Sequence, residues 1–321
     1  MGLFKLTREV KKLNDKGGRE ETIFGNTYFV DYRNGLDTQD GLSAISALKT
    51  LSAAYGKCTS NNNDVIYIDG DSTVVETAII NWTKSRITVK GIQSGRPYGC
   101  AAKVSMGITT AATDIALINV TGVRNQFHDI KFRSDNTKDE SLYTFIDGGE
   151  YTYMENCEVY KSTDMDETDA SEFVCNADSP IYKNCTFGSL ATARSGAVIR
   201  ANVLFTKEIS ASGKVTRDAT FEGCNFWINA SNTANRFMYG ANAADIERIA
   251  VIKDCMFINN GASSAVPAQN VAFGSSLSVG SVLLNRCSSV NAATAMSTTT
   301  GVFVDGGSPS ATTTGISVQA S

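Results

Sequence analysis

Histidine is nearly missing from this chain of 321 residues, and its single histidine is His128. One histidine provides neither a serine triad nor a histidine-based acid–base pair beyond that residue. The eight cysteines include no Cys-x-x-Cys pair, and His128 lies outside any cluster of metal-ligating residues. The sequence therefore gives no reason to expect a metal site, and His128 is predicted to be a surface residue.

Long apolar runs are also missing, since no stretch approaches the roughly 18 apolar residues of a membrane span. The first 15 residues lack an apolar core and carry Lys5, Arg8, Lys11 and Lys12, so no signal peptide is predicted. The net charge of −4 gives no reason to expect nucleic acid as a partner. We therefore expect a protein made in the cytoplasm, with no nucleic-acid or membrane partner.

The chain does contain one seven-residue pattern that occurs six times. Three residues before its central position stands a large, mostly apolar residue, and two residues after it stands Phe or Val in five copies. The central residue is Cys in five copies and Ile130 in the other. The copies are Gln126–Phe132, Tyr153–Val159, Ile181–Phe187, Thr220–Phe226, Val251–Phe257 and Leu283–Ser289.

The spacing within each copy fits neither an uninterrupted strand nor a helix. In a strand every second residue faces the same side, but here one extra residue separates the first two apolar positions. Asn, Asp and Gly dominate at this extra position, as with Asn184, and they tolerate a left-handed backbone at the least cost. Each copy is therefore predicted to form a strand, a one-residue corner and a second strand around one core.

The intervals between copies are typical of a solenoid. The central residues are Ile130, Cys157, Cys185, Cys224, Cys255 and Cys287, which places successive copies 27 to 39 residues apart. Self-similarity at such intervals indicates coils that stack on one another. The longest interval has room for a polar insertion, Lys207–Lys214, which is predicted to be a loop.

This pattern resembles that of the right-handed parallel β-helix proteins, the pectate-lyase-like fold, whose coils carry an apolar-x-Asn-Cys-x-Phe sequence. The resemblance covers Tyr28–Val304 and implies an all-β, right-handed, single-stranded parallel β-helix with a short N-terminal amphipathic helix. The expected organisation is a helical anchor or cap over residues 1–22, the β-helix over 23–304 and an extended tail over 305–321. Polysaccharide lyases, hydrolases, phage tailspikes and inert virion parts share this fold, so it does not by itself assign a function.

The two ends of the chain carry separate signals. Four apolar residues near the N-terminus follow helical spacing, namely Leu3, Leu6, Val10 and Leu13. They predict an amphipathic helix over Met1–Asp15 that either caps the solenoid or anchors the chain to a larger assembly. Residues 308–321 carry no charge, and we expect them to be extended and ordered by lying along a neighbouring chain.

The N-terminal part of the solenoid begins with a Gly- and Asp-rich turn, Asn34–Ser43. A short helix is predicted over Ala47–Ala54 and a strand over Asp64–Ile68. Asp37 and Asp40 in the turn could bind calcium, but they match no complete EF-hand loop. The simpler interpretation, that both acids stabilise the turn, is preferred.

Five of the eight cysteines occupy the inward central position of successive coils, where cysteine behaves as a small hydrophobe. Their Cα atoms should stack at about 4.8 Å, which is close enough for disulfide bonds to be conceivable. A ladder of free thiols nevertheless packs well, and no secretion signal is seen, so the cysteines are predicted to be reduced.

Two groups of residues could take part in chemistry or ligand binding. The segment Asp164–Asp169 holds four acids, and paired carboxylates hydrolyse glycosides when about 5 to 9 Å apart, although a solvated turn is the simpler interpretation. Trp227, Phe237 and Tyr239 could form an aromatic platform for a sugar, although packing in the core or between coils is the simpler interpretation. We assign no catalytic, cofactor-binding or metal-binding residue, and no cofactor.

The preferred hypothesis is a non-enzymatic structural component of a bacteriophage virion, such as a capsid decoration (cement) protein or a tail part. The alternative is a tailspike-type polysaccharide depolymerase, a hydrolase or lyase that recognises the host surface, and a bacterial polysaccharide lyase ranks third. The expected partners are other virion proteins, contacted through the N-terminal segment, and further copies in a homotrimer. A glycan is a further candidate ligand, and the expected location is the virion.

Overall fold

The computed structural model of the chain is a parallel β-solenoid built from three sheets, A, B and C. It describes residues 25–92, 100–106, 115–134, 142–162, 170–194, 199–207, 214–230, 233–261, 267, 269–291, 296–305 and 317–318. Between Val65 and Val290, successive strands along the chain pass from sheet A to sheet B to sheet C and then back to sheet A. The predicted solenoid is therefore confirmed, whereas the predicted helix Met1–Asp15, the segment Asp164–Asp169 and most of the tail lie outside the described residues.

Within the described residues, sheet A has ten strands, sheet B nine and sheet C seven. Sheet A consists, in spatial order, of β1 (Thr27–Val30), β2 (Val65–Ile68), β5 (Thr88–Gly91), β8 (Gln126–His128), β11 (Tyr153–Glu155), β14 (Ile181–Lys183), β17 (Ala219–Glu222), β20 (Ile249–Lys253), β23 (Ser281–Asn285) and β25 (Val302–Val304).

Sheet B consists of β3 (Thr73–Glu76), β6 (Lys103–Met106), β9 (Lys131–Ser134), β12 (Glu158–Lys161), β15 (Thr186–Arg194), β18 (Asn225–Ala230), β21 (Met256–Asn259), β24 (Ser288–Val290) and β26 (Ser317–Val318). Sheet C consists of β4 (Ile80–Trp82), β7 (Ile118–Val120), β10 (Tyr143–Asp147), β13 (Ser171–Cys175), β16 (Arg200–Phe205), β19 (Asn235–Gly240) and β22 (Val271–Phe273). Neighbouring strands pair in parallel, except that β24 and β26 pair antiparallel.

A one-residue corner joins sheet A to sheet B in successive coils, as the repeated pattern predicts. The corner residue has a left-handed backbone in all six copies, with φ between 49° and 63°. Neighbouring corners contact one another, because Asn156 Nδ2 donates to Asp129 Oδ1 at 3.2 Å. A Cβ atom on Gly223 would lie 2.6 Å from Asn184 Oδ1. Glycine therefore suits this corner both by its backbone conformation and by the close approach of its neighbour.

The central cysteines form a ladder of buried thiols beside the corners, and all eight cysteines are buried thiols outside any disulfide. Thiols of the ladder donate to backbone carbonyls, as in the contacts of Cys185 Sγ with Lys183 O at 3.3 Å and of Cys255 Sγ with Lys253 O at 3.2 Å. Burial raises the pKa of both thiols well above the ordinary value. Because the thiolate is the reactive form, burial makes these two thiols less reactive.

Aromatic rings fill much of the remaining interior and stack from coil to coil. The ring centroids of Phe187 and Phe226 are 5.5 Å apart, and those of Phe226 and Phe257 are 4.9 Å apart, with nearly parallel planes in both pairs. All three residues belong to one apolar cluster that extends along the solenoid. The core is therefore continuous, and each coil is stabilised mainly by its two neighbours.

A short helix, α1, covers the N-terminal end of the described solenoid. The helix was predicted over Ala47–Ala54 but spans Leu51–Lys57, so the predicted bounds were wrong. Thr50 sets the start, because its side chain accepts a backbone hydrogen bond from the first turn at 3.2 Å. The ring of Tyr55 stacks on that of Trp82 at 4.2 Å, which anchors α1 in the core. No helix in the described parts of the chain has the length and apolar character needed to cross a membrane.

Candidate interaction surface

The acids of the first turn hold the turn together, as predicted. Asp37 Oδ1 accepts hydrogen bonds from the backbone N of Lys49 at 2.8 Å and of Thr50 at 2.9 Å. Asp40 Oδ1 accepts one from Ser46 Oγ at 2.6 Å. Among the residues that the structure describes, no group of three or more His, Cys, Asp or Glu is arranged to hold a metal ion. The hydrogen bonds of Asp37 and Asp40 within the turn agree with the turn-stabilising interpretation.

The three aromatic residues considered for sugar binding do not form a common platform. Phe237 is fully buried in the main core and lies 5.4 Å from the ring of Phe257. Tyr239 is buried in a separate apolar cluster on the outer face of sheet C. Trp227 is half-buried on sheet B, where it pairs with Gly188 on one neighbouring strand and Ile258 on the other. The packing interpretation is thus confirmed for Phe237 and Tyr239.

His128 lies on the outer face of sheet A, as predicted for a surface residue. Its side chain is 14% exposed, and Nδ1 lies 3.6 Å from Glu155 Oε2 on the neighbouring strand. Nε2 lies 3.2 Å from Gln126 Oε1, and the ring is tilted against that of Tyr153 at 5.5 Å. These contacts make His128 one member of a cross-strand row of side chains.

Asp147 is fully buried inside the solenoid, and no sequence signal identifies it. Tyr182 Oη donates to its Oδ2 at 2.7 Å, while Thr152 Oγ1 and Gly149 N donate to its Oδ1 at 2.9 and 3.0 Å. Burial raises the pKa of Asp147, because removal from water disfavours the charged carboxylate. An enclosed carboxyl with these partners stabilises neighbouring coils and is not open to a ligand.

A buried ion pair lies where sheets B and C approach each other. Arg194 at the end of β15 pairs with Glu172 of β13, and each side chain is 3% exposed. Asn202 Nδ2 donates to two backbone carbonyls at 3.0 and 2.9 Å, next to the place where β15 bulges between Gly188 and Ala193. Because a buried charge is tolerated only when it is paired, Arg194 and Glu172 serve as a structural ion pair at this point of the solenoid.

A row of charged and polar side chains runs along the outer face of sheet A. Its members pair directly across neighbouring strands and alternate along each strand with buried residues. The charged row consists of Lys90, His128, Glu155, Lys183, Glu222, Lys253, Asn285 and Asp305. Lys253 Nζ lies 3.2 Å from Glu222 Oε2, and both side chains are 35% exposed. Asn285 Nδ2 donates to Asp305 Oδ2 at 2.7 Å, which joins Asp305 to the row.

A second row, largely apolar, runs beside the charged row at a distance of two residues along each strand. It is defined as Tyr153, Ile181, Thr220, Val251, Leu283 and Phe303. Ile181 is 41% exposed and Phe303 is 60% exposed. The outer face of sheet A therefore presents an apolar row and a charged row side by side over several coils.

Further exposed charges lie on the connection from sheet C to sheet A. Arg217 Nε donates to Glu247 Oε2 at 2.6 Å, and Arg248 Nη2 lies 3.0 Å from Asp178 Oδ1 and 2.9 Å from Asp218 Oδ2. These residues belong to successive coils, so the pairs link coil to coil. Because the side chains are partly exposed, solvent screening leaves each pair a small contribution to stability.

Comparison with known proteins identifies the fold through solved structures and not through sequence. No protein-family model and no curated protein matches the sequence. Among solved structures, the deglycosylated pectin methylesterase from Aspergillus niger aligns at 11% identity and a TM-score of 0.52, over 89% of this chain and 90% of that one. Pectate lyase Pel9A aligns at 16% identity and a TM-score of 0.55. That alignment covers 83% of this chain but 64% of Pel9A, so this chain spans less than two thirds of the lyase.

A viral protein, ORF18 of Geobacillus virus E2, also aligns, over 82% of this chain and 59% of that one. Its 10% identity and TM-score of 0.34 are too low to support an argument. Similarity at these identities shows the fold and leaves the activity open. Together with the three parallel sheets and the left-handed corners, the alignments show that this chain has the right-handed parallel β-helix fold of the pectate-lyase-like proteins.

Proposed function

We propose that this protein is a non-enzymatic structural component of a bacteriophage particle, either a capsid decoration protein or a tail part. The observation that carries the proposal is the outer face of sheet A, with its charged row and its partly exposed apolar row. A contiguous apolar strip bordered by charges is typical of a surface that contacts another protein. Because the strip follows the solenoid axis, the contact would be repeated from coil to coil.

The buried acids are consistent with a structural role. Asp147 and Glu172 have pKa values raised by burial, which is also a property of catalytic acids. Both are fully enclosed and already hydrogen-bonded or ion-paired within the chain. Their environment explains the raised pKa values through packing of neighbouring coils, without a substrate.

The remaining features of the proposal follow from the sequence. The segment Met1–Asp15 would dock the chain onto other virion proteins, because its apolar residues follow helical spacing beside a basic face. The homotrimer and the virion location stay predictions of the same origin. A glycan remains a candidate ligand of the particle surface.

The direct experiment locates the protein in purified particles of the virus that encodes it. Immunogold electron microscopy with antibodies against this chain should label the capsid or the tail at regular positions. Deleting residues 1–22 should abolish incorporation into particles while the melting temperature of the purified β-helix stays unchanged. Finding the protein free in the lysate and missing from intact particles would reject the proposal.

A tailspike-type polysaccharide depolymerase is the second candidate. The observation in its favour is the structural similarity to a pectin methylesterase and a pectate lyase, since both names denote enzymes that act on polysaccharide. If the chain is structural, purified protein should release no reducing ends and no unsaturated sugars from capsular polysaccharide, lipopolysaccharide or pectin. Release that disappears in Asp164→Asn/Asp166→Asn, and persists in the exposed control Asp71→Asn, would favour the depolymerase instead.

A further inference from the structure

We infer that the outer face of sheet A is a self-complementary interface that joins two copies of this chain with their solenoid axes antiparallel. The inference rests on the proposed structural function and names the partner of that face. It is drawn from the order of charges along the charged row and from the apolar row beside it.

The order of charges reverses its sign about the middle of the row. The midpoint lies between Lys183 and Glu222, which are direct cross-strand neighbours. Moving outward by one strand on each side gives Glu155 and Lys253, again of opposite sign. The next pair is His128 and Asn285, and the outermost pair is Lys90 and Asp305.

A two-fold axis through that midpoint, parallel to the strands, would place a second copy so that each charge faces one of opposite sign. Lys183 would face Glu222 of the second copy, and Glu155 would face its Lys253. The same axis keeps each row opposite itself, so Tyr153 would face Val251 of the second copy and Ile181 would face its Thr220. The apolar contact is therefore centred on the axis, while Leu283 and Phe303 would lie over polar residues at the other end of the row. A two-fold contact is isologous, which means that both copies use the same surface.

Other arrangements of the same two faces are less favourable. A two-fold axis along the solenoid would make the two solenoids parallel. If that axis ran directly over the charged row, each charge would face its own copy, which is repulsive. If it ran between the two rows, the apolar row would face the charged row and desolvate charges without partners. Charge order and row order thus favour the same antiparallel arrangement.

Attraction between neighbouring strands within one chain would also favour alternating charges, but it does not explain the apolar row. Ile181 is 41% exposed and Phe303 is 60% exposed, and both lie on the same face as the charges. A second copy would remove these side chains from water, which is favourable. The apolar row is therefore an independent observation in favour of a partner on this face.

The size of the face indicates a weak association. Eight strands at about 4.8 Å per strand give a row about 34 Å long. The two rows lie about 7 Å apart along each strand, so the two faces together would bury at most roughly 1,000 Å², near the lower limit of specific interfaces. The association should therefore depend on protein concentration and weaken as salt screens the charges.

Two charge variants test the interface by complementation. The negative variant, Lys183→Glu/Lys253→Glu, makes the four central charges of the row negative. The positive variant, Glu155→Lys/Glu222→Lys, makes the same four charges positive. A control, Lys57→Glu/Lys103→Glu, changes the net charge as much as the negative variant but uses exposed lysines outside this face.

Sedimentation of the full-length chain at low salt provides the readout. As the concentration rises, the wild type and the control should approach twice the chain mass of 34.3 kDa if single chains pair, or six times that mass if the predicted trimers pair. Each row variant alone should show a dissociation constant raised at least about ten-fold, a loss of about 1.4 kcal/mol. An equimolar mixture of the two variants should regain the wild-type mass. Circular dichroism checks that each variant is folded.

Three results would overturn the inference. They are a wild type that stays at the chain mass, a wild-type association unchanged by either variant, and a mixture that does not associate. If a row variant fails to fold, Ile181→Ser replaces it, since Ile181 is partly exposed beside the two-fold axis and its loss should weaken association without preventing folding. Trimers that pair through this face would give six copies, reduced to three by the row variants, which also supports the interface. A monomer that still labels particles would reject this interface and leave the structural function in place.

Discussion

The outer faces of sheets A and C differ although both belong to the same stack of coils. On sheet C the outward residues form an apolar cluster, and Val174 and Leu204 in it are 0% and 3% exposed. On sheet A the outward residues Ile181 and Phe303 keep 41% and 60% of their surface exposed, beside a row of charges. One face is thus already covered within the chain, whereas the other has charges and apolar groups available for a partner.

The difference originates in the strand sequences. Strands of sheet C contain runs such as Phe173-Val174-Cys175, in which inward and outward residues are both apolar, as expected for a parallel sheet buried on both sides. Strands of sheet A place a large buried residue between two outward ones, as Tyr182 lies between Ile181 and Lys183. In this chain, charged outward positions mark the exposed face of a sheet, and apolar outward positions mark the buried one.

The largest effect should come from placing a charge on each face. Val174→Asp buries a carboxylate without a partner and should cost about 3 to 5 kcal/mol of stability. Ile181→Asp on sheet A should cost less than about 1 kcal/mol, because water still reaches the side chain. Thermal unfolding followed by circular dichroism compares the two variants. Equal losses would show that the two faces are covered to the same extent.

A smaller effect is expected at the corner that borders the sheet A face. Asn184 has φ 52°, and a β-branched residue in this conformation is strained, so Asn184→Val should cost about 1 to 3 kcal/mol. Lys183→Val, one residue earlier, has an extended backbone and should cost less than about 1 kcal/mol. Melting temperatures of the two variants provide the comparison. Asn184→Gly is the control and should remain close to the wild type.

The response to pH should distinguish the interior of sheet C from the exposed corner. Burial raises the pKa of Asp147 above its unfolded value of about 3.9. The stability contributed by the neutral carboxyl is therefore fully present below about pH 4 and is lost as the pH rises through the folded-state pKa. The amide side chain of the variant Asp147→Asn cannot ionise. The melting temperature of this variant, relative to that of the wild type, should therefore increase as the pH rises from about 4 to 7. A pH-independent difference would contradict this.

The smallest effect, opposite in direction, is expected at Asp254. Hydrogen bonds from Arg286, at 2.7 Å, lower the pKa of Asp254. The stabilisation is present above the unfolded pKa and is lost as the pH falls through the folded one. Arg286→Ala should remove this acid sensitivity, and high salt should reduce the difference because both side chains are exposed. Melting temperatures near pH 7 and pH 3 are the measurement.

The sequence predicted the corners and the inward positions because these are local patterns. Asn184 and Cys185 stand at fixed places in a repeated heptapeptide, and backbone preference and burial determine their roles. The bounds of α1 were predicted less well, since the cap at Thr50 competes with the helical spacing before it.

The contacts between coils could not be predicted in the same way. Asp147 and Tyr182 are separated by 35 positions along the chain. The charged row also requires the register of each strand pair, which depends on loop lengths between copies. The sequence pattern predicts the structure of each coil but not the register between coils, and the register determines these contacts.

The alternation of charge along sheet A has a consequence for how such a chain can change length. Removing the single coil that carries Lys183 would bring Glu155 beside Glu222, and inserting one extra copy of that coil would set two lysines next to each other. Removing or duplicating two consecutive coils preserves the alternation. Relatives of different length should therefore differ by an even number of coils in this region. Coils would be gained or lost two at a time.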